Sequence, residues 1–363
     1  MEPEQLKRRI LYAQFLTRGS ADGKAPPTPQ QVCRALNGVQ AQYLSNAQHA
    51  LRIRCGGALP ADWSAGLAKS WTVRGTMHLF AESDLPLFLH AGRSHFLRPQ
   101  DTMAGDGWVT AERKAQFAAV ILDAIDHGNG ERKALKATCA AAGMTETEAQ
   151  SLFDPWGGVL RALAEQGSIC YRVEEQKVYR RCPDFVPMEE AAARTEQLRR
   201  YFTHYGPASV KDAAYFFAAP QTKVRQWMES LPLQQTAGQD GAAGKSEQPR
   251  YFLPLSAQPT EAALPPIPPC LFLAGFDPLL LGYEKTQSLF LPPEYLRGIF
   301  SLGGIVMPAV LLQGTVAARW KKTGKTKLTV SAFRELTAAE QRLVRETAVQ
   351  IFPEIKKIEI VRL

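Results

Sequence analysis

The sequence predicts a mainly α, α+β chain in which three tandem winged-helix units precede a β-rich C-terminal domain. Three observations carry that expectation. One order recurs three times: a long amphipathic helix, a break, a shorter helix, a break, a third helix and a short strand pair. The apolar and charged fractions, 45% and 21%, are those of a folded globular chain. Beyond the Pro-rich stretch "LPPIPP", strand-like alternation takes over. A length of 363 residues accommodates several domains of roughly 100 to 200 residues each, and the segments expected are 1–108, 109–188, 189–262 and 263–363.

The first unit opens with a helix at about 4–17. A second begins near Pro29, a favoured first-turn residue, and stops at Asn37-Gly38, where a left-handed residue commonly ends a helix. The segment "VQAQ" (39–42) follows, then further helix, then "WTVRGTMHLF" (71–80), which reads as one strand. In the middle unit "ERKAQFAAVILDAIDHG", "RKALKATCAAAG" and "PWGGVLRALAEQG" read as helices, with a capping box at Thr145 and Glu148. "SICYRVEEQKVYRRC" is its hairpin wing.

The third unit has a helix over about 194–204, a stop at Gly206-Pro207, a helix capped by Ser209, a helix over 222–230 and a returning strand from 250. The low-complexity insert 234–249 sits where an elongated, mobile wing tip belongs. In the last segment "GIVMPAVLLQ", "TVAARWKK" and "KLTVSAF" read as strands. A helix with a capping box at Thr337 and Glu340 and a final strand "IKKIEIVRL" complete it.

The formal charge of +8, from 43 Lys and Arg against 35 Asp and Glu, suits a polyanionic partner without requiring one. The six cysteines include no CxxC pair and no zinc-type spacing, so they read as reduced thiols, and no metal or cofactor is expected. The charged start "MEPEQLKRRILYAQFL" is unlike an export signal, and no apolar run approaches the roughly 18 residues of a membrane helix, which predicts a soluble cytoplasmic protein. GxGxxG, P-loop, HExxH and GxSxG motifs are all missing. The six histidines are scattered, and His49, His90 and His95 read as surface or packing residues.

Two stretches can carry chemistry. In a helix Gln40 and Gln42 point about 200° apart, whereas in an extended segment they face the same way, about 7 Å apart along the chain. Two primary amides so placed can hold one water or a sugar edge. The spacing equally fits two exposed polar residues after a helix end. On the strand 71–80, period-2 alternation sends Arg74, Thr76 and His78 to one face, the outer two about 13 Å apart. That spread matches two nucleotides, and a solvated strand face accounts for it too. Lys321, Lys322, Lys325 and Lys327 cluster around a glycine turn, where phosphate binding and a solvated hairpin fit equally well.

In combination these stretches resemble the AlkZ-type winged-helix DNA glycosylases, a family that also includes the YcaQ-like proteins. "VQAQ" is similar to the family's Gln-aliphatic-Gln motif, "WTVRGTMHLF" to its Arg-Gly-Thr-Leu-His segment and "YGPASVKDAAYFF" to its Gly-Pro helix-turn unit. "FDPLLLGY" with "MPAVLLQGTVAARW" matches the later part. Met77 replaces the usual leucine, and "EKTQ" stands where the family carries an Asp-Arg pair.

The resemblance implies a C-shaped arrangement of the three winged helices plus the small C-terminal domain around duplex DNA bearing alkylated bases. It further implies monofunctional excision of N7-alkylguanine-type purines, in some members of bulky adducts or interstrand crosslinks, by a monomer associated with the nucleoid. The motif glutamines fall on Gln40 and Gln42, which position water. On this expectation Arg74, Thr76 and His78 would hold the DNA backbone, with Arg54, Lys321, Lys322 and Lys325 as supporting contacts. The rival expectations are a non-catalytic winged-helix DNA binder, either a regulator or an adduct-sequestering protein, and a protein-interaction scaffold without nucleic-acid affinity.

Overall fold

The computed structural model describes residues 1–17, 25–91, 109–154, 158–236, 248–255 and 263–363. They form two compact units, one of residues 1–63 with 195–363 and the other of residues 64–194. Most of the insert 234–249 lies outside the described residues, as do His95 and residues 155–157 of the third helix expected in the middle unit.

In the unit 64–194, helices at Ala111–Asp126, Arg132–Ala141, Glu146–Leu152 and Gly158–Glu165 follow one another. Two of the starts have a local cause. Thr110 accepts from the Arg113 amide, and Thr145 and Glu148 exchange the two bonds of a capping box. Glu148 also accepts two bonds from the Arg113 guanidinium at 2.7 and 2.8 Å, which links the first helix to the third. The apolar faces close over Phe117, Ile121, Leu135, Cys139, Leu160 and Ile169.

Against them lie four antiparallel strands in the order Met77–Ala81, Leu67–Trp71, Ile169–Tyr171, Tyr179–Arg181. The last two are the expected wing. The stretch 71–80 is not one strand: the chain reverses at residues 72–76, so Trp71 pairs with Met77 and Ser70 with His78. Arg74 and Gly75 both have positive φ, +57° and +63°, and the Thr76 amide donates to Val73 O at 3.2 Å, as a type I′ turn requires.

In the other unit, helices Pro3–Ala13, Pro29–Ala35 and Leu44–Arg52 pack with the part of Glu190–His204 from residue 195 on, Val210–Phe217 and Gln221–Met228. Ser209 and Asp212 form a capping box at the start of Val210–Phe217. Three buried tyrosines donate to backbone carbonyls that helices cannot satisfy internally: Tyr201 to Gly282, Tyr205 to Leu36 and Tyr283 to Tyr205, at 2.8 to 3.0 Å.

The C-terminal strands make a five-stranded sheet in the order Lys357–Arg362, Lys327–Ala332, Thr315–Thr323, Ala309–Leu312, Cys270–Leu273. Only the first pair is parallel. Helix Ala338–Ile351, opened by the Thr337 and Glu340 capping box, covers it over Phe272, Val330, Leu328 and Val344. The strand Cys270–Leu273 has no counterpart in the expected elements; its apolar run is too short for periodicity to separate strand from buried turn. Among the described residues no helix is long and apolar enough to cross a membrane.

Candidate active site

The segment carrying both glutamines is fixed by how the preceding helix stops. Thr28 and Gln31 form a capping box at the start of Pro29–Ala35, with Pro29 in the first turn. At the far end Asn37 and Gly38 take left-handed φ values of +54° and +88°. The Gly38 amide then donates back to Cys33 O at 2.7 Å, closing the helix end. The buried Asn37 side chain donates to Gln197 O at 2.8 Å, so the polar tip that permits the left-handed turn also anchors it.

Val39 and Gln40 are extended, and Gln42 and Tyr43 form a bend before helix Leu44–Arg52. Gln40 is buried, 7% exposed, Ala41 is fully buried and Gln42 is exposed. The expected non-helical conformation is therefore present, with the two amides in unequal settings.

The helix after the motif forms one wall of an open cleft of ≈ 980 Å³, lined among others by Asn46, His49, Arg52, Trp63, Lys321 and Lys322. His49 is sealed under it. Its ring stacks on Phe352 with centroids 5.3 Å apart and meets Trp320 edge-on at 5.2 Å. Its Nε2–H donates to Phe272 O at 2.8 Å. Burial depresses the imidazole pKa to about 4, with the Arg52 and Arg54 cations pushing the same way, so His49 is neutral at pH 7.

Lys321, Lys322 and Lys325 lie on the hairpin joining Thr315–Thr323 to Lys327–Ala332, and all three are exposed. Lys322 is the most engaged: it pairs with Glu354 and sits 5.6 Å from the centre of the Phe352 ring. Lys321 and Lys322 thus share a cleft with the motif helix, while Lys325 stands at the turn beyond it.

Two expected DNA contacts are corrected by burial. Arg54 is 0% exposed and holds Asp277 through two bonds, Nη2 to Oδ1 at 2.7 Å and Nη1 to Oδ2 at 3.1 Å, with a further bond from Nη1 to Ala50 O at 3.0 Å. A guanidinium so enclosed cannot reach a phosphate. Its partner also caps helix Pro278–Leu281, accepting from the Leu279 amide at 2.9 Å.

His78 is 3% exposed, and its Nδ1–H donates to Thr76 O at 3.1 Å. Burial and then the nearby Arg74 cation lower its pKa to about 3, so it carries no charge with which to hold a phosphate. Arg74 and Thr76 are half-exposed in the hairpin turn, Thr76 donating its hydroxyl to Val73 O at 3.1 Å. The expected flat polar face with a 13 Å spread does not exist, because the turn lies between its members. Gln40, Gln42, Arg54 and the lysines belong to one unit, and Arg74, Thr76 and His78 to the other.

The family model for DNA glycosylase AlkZ-like proteins matches residues 33–351, nearly the whole chain. The chain belongs to the AlkZ-like DNA glycosylase family. It is accordingly an enzyme of DNA repair that hydrolyses N-glycosyl bonds. An interstrand DNA cross-link repair glycosylase of Streptomyces sahachiroi is 25% identical over 366 residues, covering 94% of this chain and 95% of the relative. The solved structure of the Streptomyces sahachiroi DNA glycosylase AlkZ shares the fold, with a TM-score of 0.74 at 22% identity and complete coverage of both chains. For this glycosylase, sequence reasoning overlooked Asp277. Its signal was present in "FDPLLL", an aspartate N-cap followed by proline at the first helical position, but nothing local named Arg54 as its partner.

Proposed function

We propose that this glycosylase releases N7-alkylguanine-type purines, and bulkier or cross-linking adducts of that kind, through one water that Gln40 and Gln42 orient against C1′ of the damaged nucleotide. The observation that carries the reading is the unequal setting of two amides on a non-helical segment, Gln40 buried and Gln42 exposed. A sunken amide holds a water in a fixed orientation, and an exposed one two residues on reaches the sugar.

Amide chemistry then selects the substrate. Glutamine donates and accepts hydrogen bonds but has no accessible pKa, so it positions water without strongly removing its proton. Such a site needs a leaving group that departs unaided. N7-alkylguanine is one, because the ring is cationic while attached. As the glycosidic bond breaks, its electron pair neutralises the departing base, the water oxygen bonds to C1′ and the surplus proton passes to solvent. The amide dipoles support the oxocarbenium-like sugar in between.

Arg74, Thr76, Lys321, Lys322 and Lys325 act as backbone contacts that set the register of the duplex. The cross-link repair activity named for the Streptomyces sahachiroi relative supports extending the substrate class beyond methyl adducts. No lysine takes the role of an imine-forming nucleophile, so the product strand stays intact.

The test is a duplex with a single N7-methylguanine. Free 7-methylguanine should appear, with an abasic strand that breaks only after alkaline treatment. Release of no base from this duplex or from one bearing a bulkier N7 adduct overturns the substrate assignment, and direct strand cleavage overturns the monofunctional chemistry.

A further inference from the structure

Apolar side chains left in water are informative where they cluster. Among the described residues seven large ones are exposed, and three of these, Tyr43, Leu302 and Ile305 at 48%, 90% and 37%, belong to one neighbourhood of the larger unit. Tyr43 directly follows Gln42 and stacks on Phe276 with centroids 6.0 Å apart. The Phe276 amide donates to Val306 O at 3.2 Å, and Val306 closes the loop that carries Leu302 and Ile305. The loop and the glutamine segment are therefore tied through two contacts.

The loop itself is a small braced hairpin. Phe300 and Val306 form a bridge, Met307 N donates to Ile299 O at 2.8 Å, and Ser301 N donates to Ile305 O at 2.9 Å. The Ser301 hydroxyl accepts from the Ile305 amide at 2.9 Å, which supports the turn from within. Leu302 stands at the tip. It is followed by Gly303 and Gly304, the latter at φ +78° with open space around it. Two residues without side chains leave the leucine a narrow, unobstructed profile. The hairpin's hydrogen bonds thus hold out to solvent an apolar group that is 90% exposed.

Two cations lie near the base of this loop. Arg297 is exposed on helix Leu296–Ile299 just before the loop, and Lys285 lies 4.9 Å from the centre of the Phe300 ring at the loop's base. An apolar projection from a base that carries positive groups suits duplex DNA, with stacked bases between phosphate rows. Enzymes that work on a base inside a duplex must meet the cost of unstacking it, and apolar side chains inserted between base steps do so.

We propose that Leu302 enters the base stack beside the lesion and fills the space left as the damaged purine moves toward Gln40 and Gln42. The proposal rests on the reading that those glutamines serve the reaction, but its test is separable from it.

The first measurement places 2-aminopurine next to an N7-methylguanine analogue that resists hydrolysis in a duplex. Wild-type protein raises its fluorescence on binding, Leu302→Ser abolishes the rise and Leu302→Met retains it. No rise with wild type, or an equal rise with Leu302→Ser, overturns insertion whatever the fate of the glutamine reading. The second compares single-turnover release from duplex with release from the same strand unpaired. Leu302→Ser slows the duplex reaction about ten-fold or more and changes the unpaired reaction by less than about two-fold, since no stack has to be opened there. Equal slowing of both reactions, or of neither, overturns the proposal. Because Leu302 is almost wholly in solvent, the serine variant keeps its fold.

Discussion

Arg54 and the lysine hairpin 321–327 are both basic stretches that suit DNA in sequence, and the fold gives them opposite tasks. Arg54 directs its charge inward: it faces Asp277 and the Ala50 carbonyl, at 0% exposure for both side chains of the pair. Lys321 and Lys325 are exposed, and Lys322 is only partly compensated by Glu354. A cation's role follows from what desolvates it and what answers its charge, neither of which is encoded next to it in the chain.

That contrast can be broken at its strongest point first. Asp277→Ala leaves a buried guanidinium unanswered and uncaps helix Pro278–Leu281, so denaturant unfolding should show a loss of about 3–5 kcal/mol. Near-native stability with weakened DNA binding would instead make Arg54 a DNA contact. The buried histidines come next. Their folded pKa values, about 4 for His49 and about 3 for His78, lie below the 6.5 of an unfolded chain. Exclusion of the proton therefore stabilises the fold fully above pH 6.5, and this contribution is lost as pH falls toward 4 and then 3. The unfolding midpoint should drop between pH 7 and pH 5, and His49→Phe should flatten that slope.

The exposed side of the comparison predicts the reverse pattern. Lys321→Ala with Lys325→Ala should change stability by less than about 0.5 kcal/mol. The same change should reduce the salt dependence of duplex binding, by about one in slope for each phosphate that is no longer neutralised. Lys322→Ala alone should do least to binding, because Glu354 already neutralises part of its charge. An unchanged salt slope in the double variant would make this hairpin a solvated surface.

Legibility followed the same division between local and distant causes. Capping boxes at Thr145 and Thr337, the cap at Ser209, the stop at Asn37-Gly38 and the hairpins 169–181 and 315–332 are readable because each is completed within a few residues. The reversal at 72–76 was missed, since Arg74 adopts a left-handed conformation that a non-glycine residue rarely takes and alternation runs unbroken across it. That turn also removed His78 from the expected polar face. The Arg54 pair was unreadable because its partner lies 223 residues away. Likewise, the spacing of Gln40 and Gln42 is visible in sequence, while the burial of one and exposure of the other come from the helix stop and the elements packed around it.

The central claim is that two amides without a titratable group direct the water, and single-turnover release of 7-methylguanine by wild type and by Gln40→Ala/Gln42→Ala across about pH 6 to 9 tests it most directly. Wild type should release base at a rate nearly independent of pH, because neither amide ionises, and the double variant should lose about a hundred-fold or more while binding DNA as before. Undiminished release by the double variant, or a wild-type rate that rises about ten-fold per pH unit, would contradict the account.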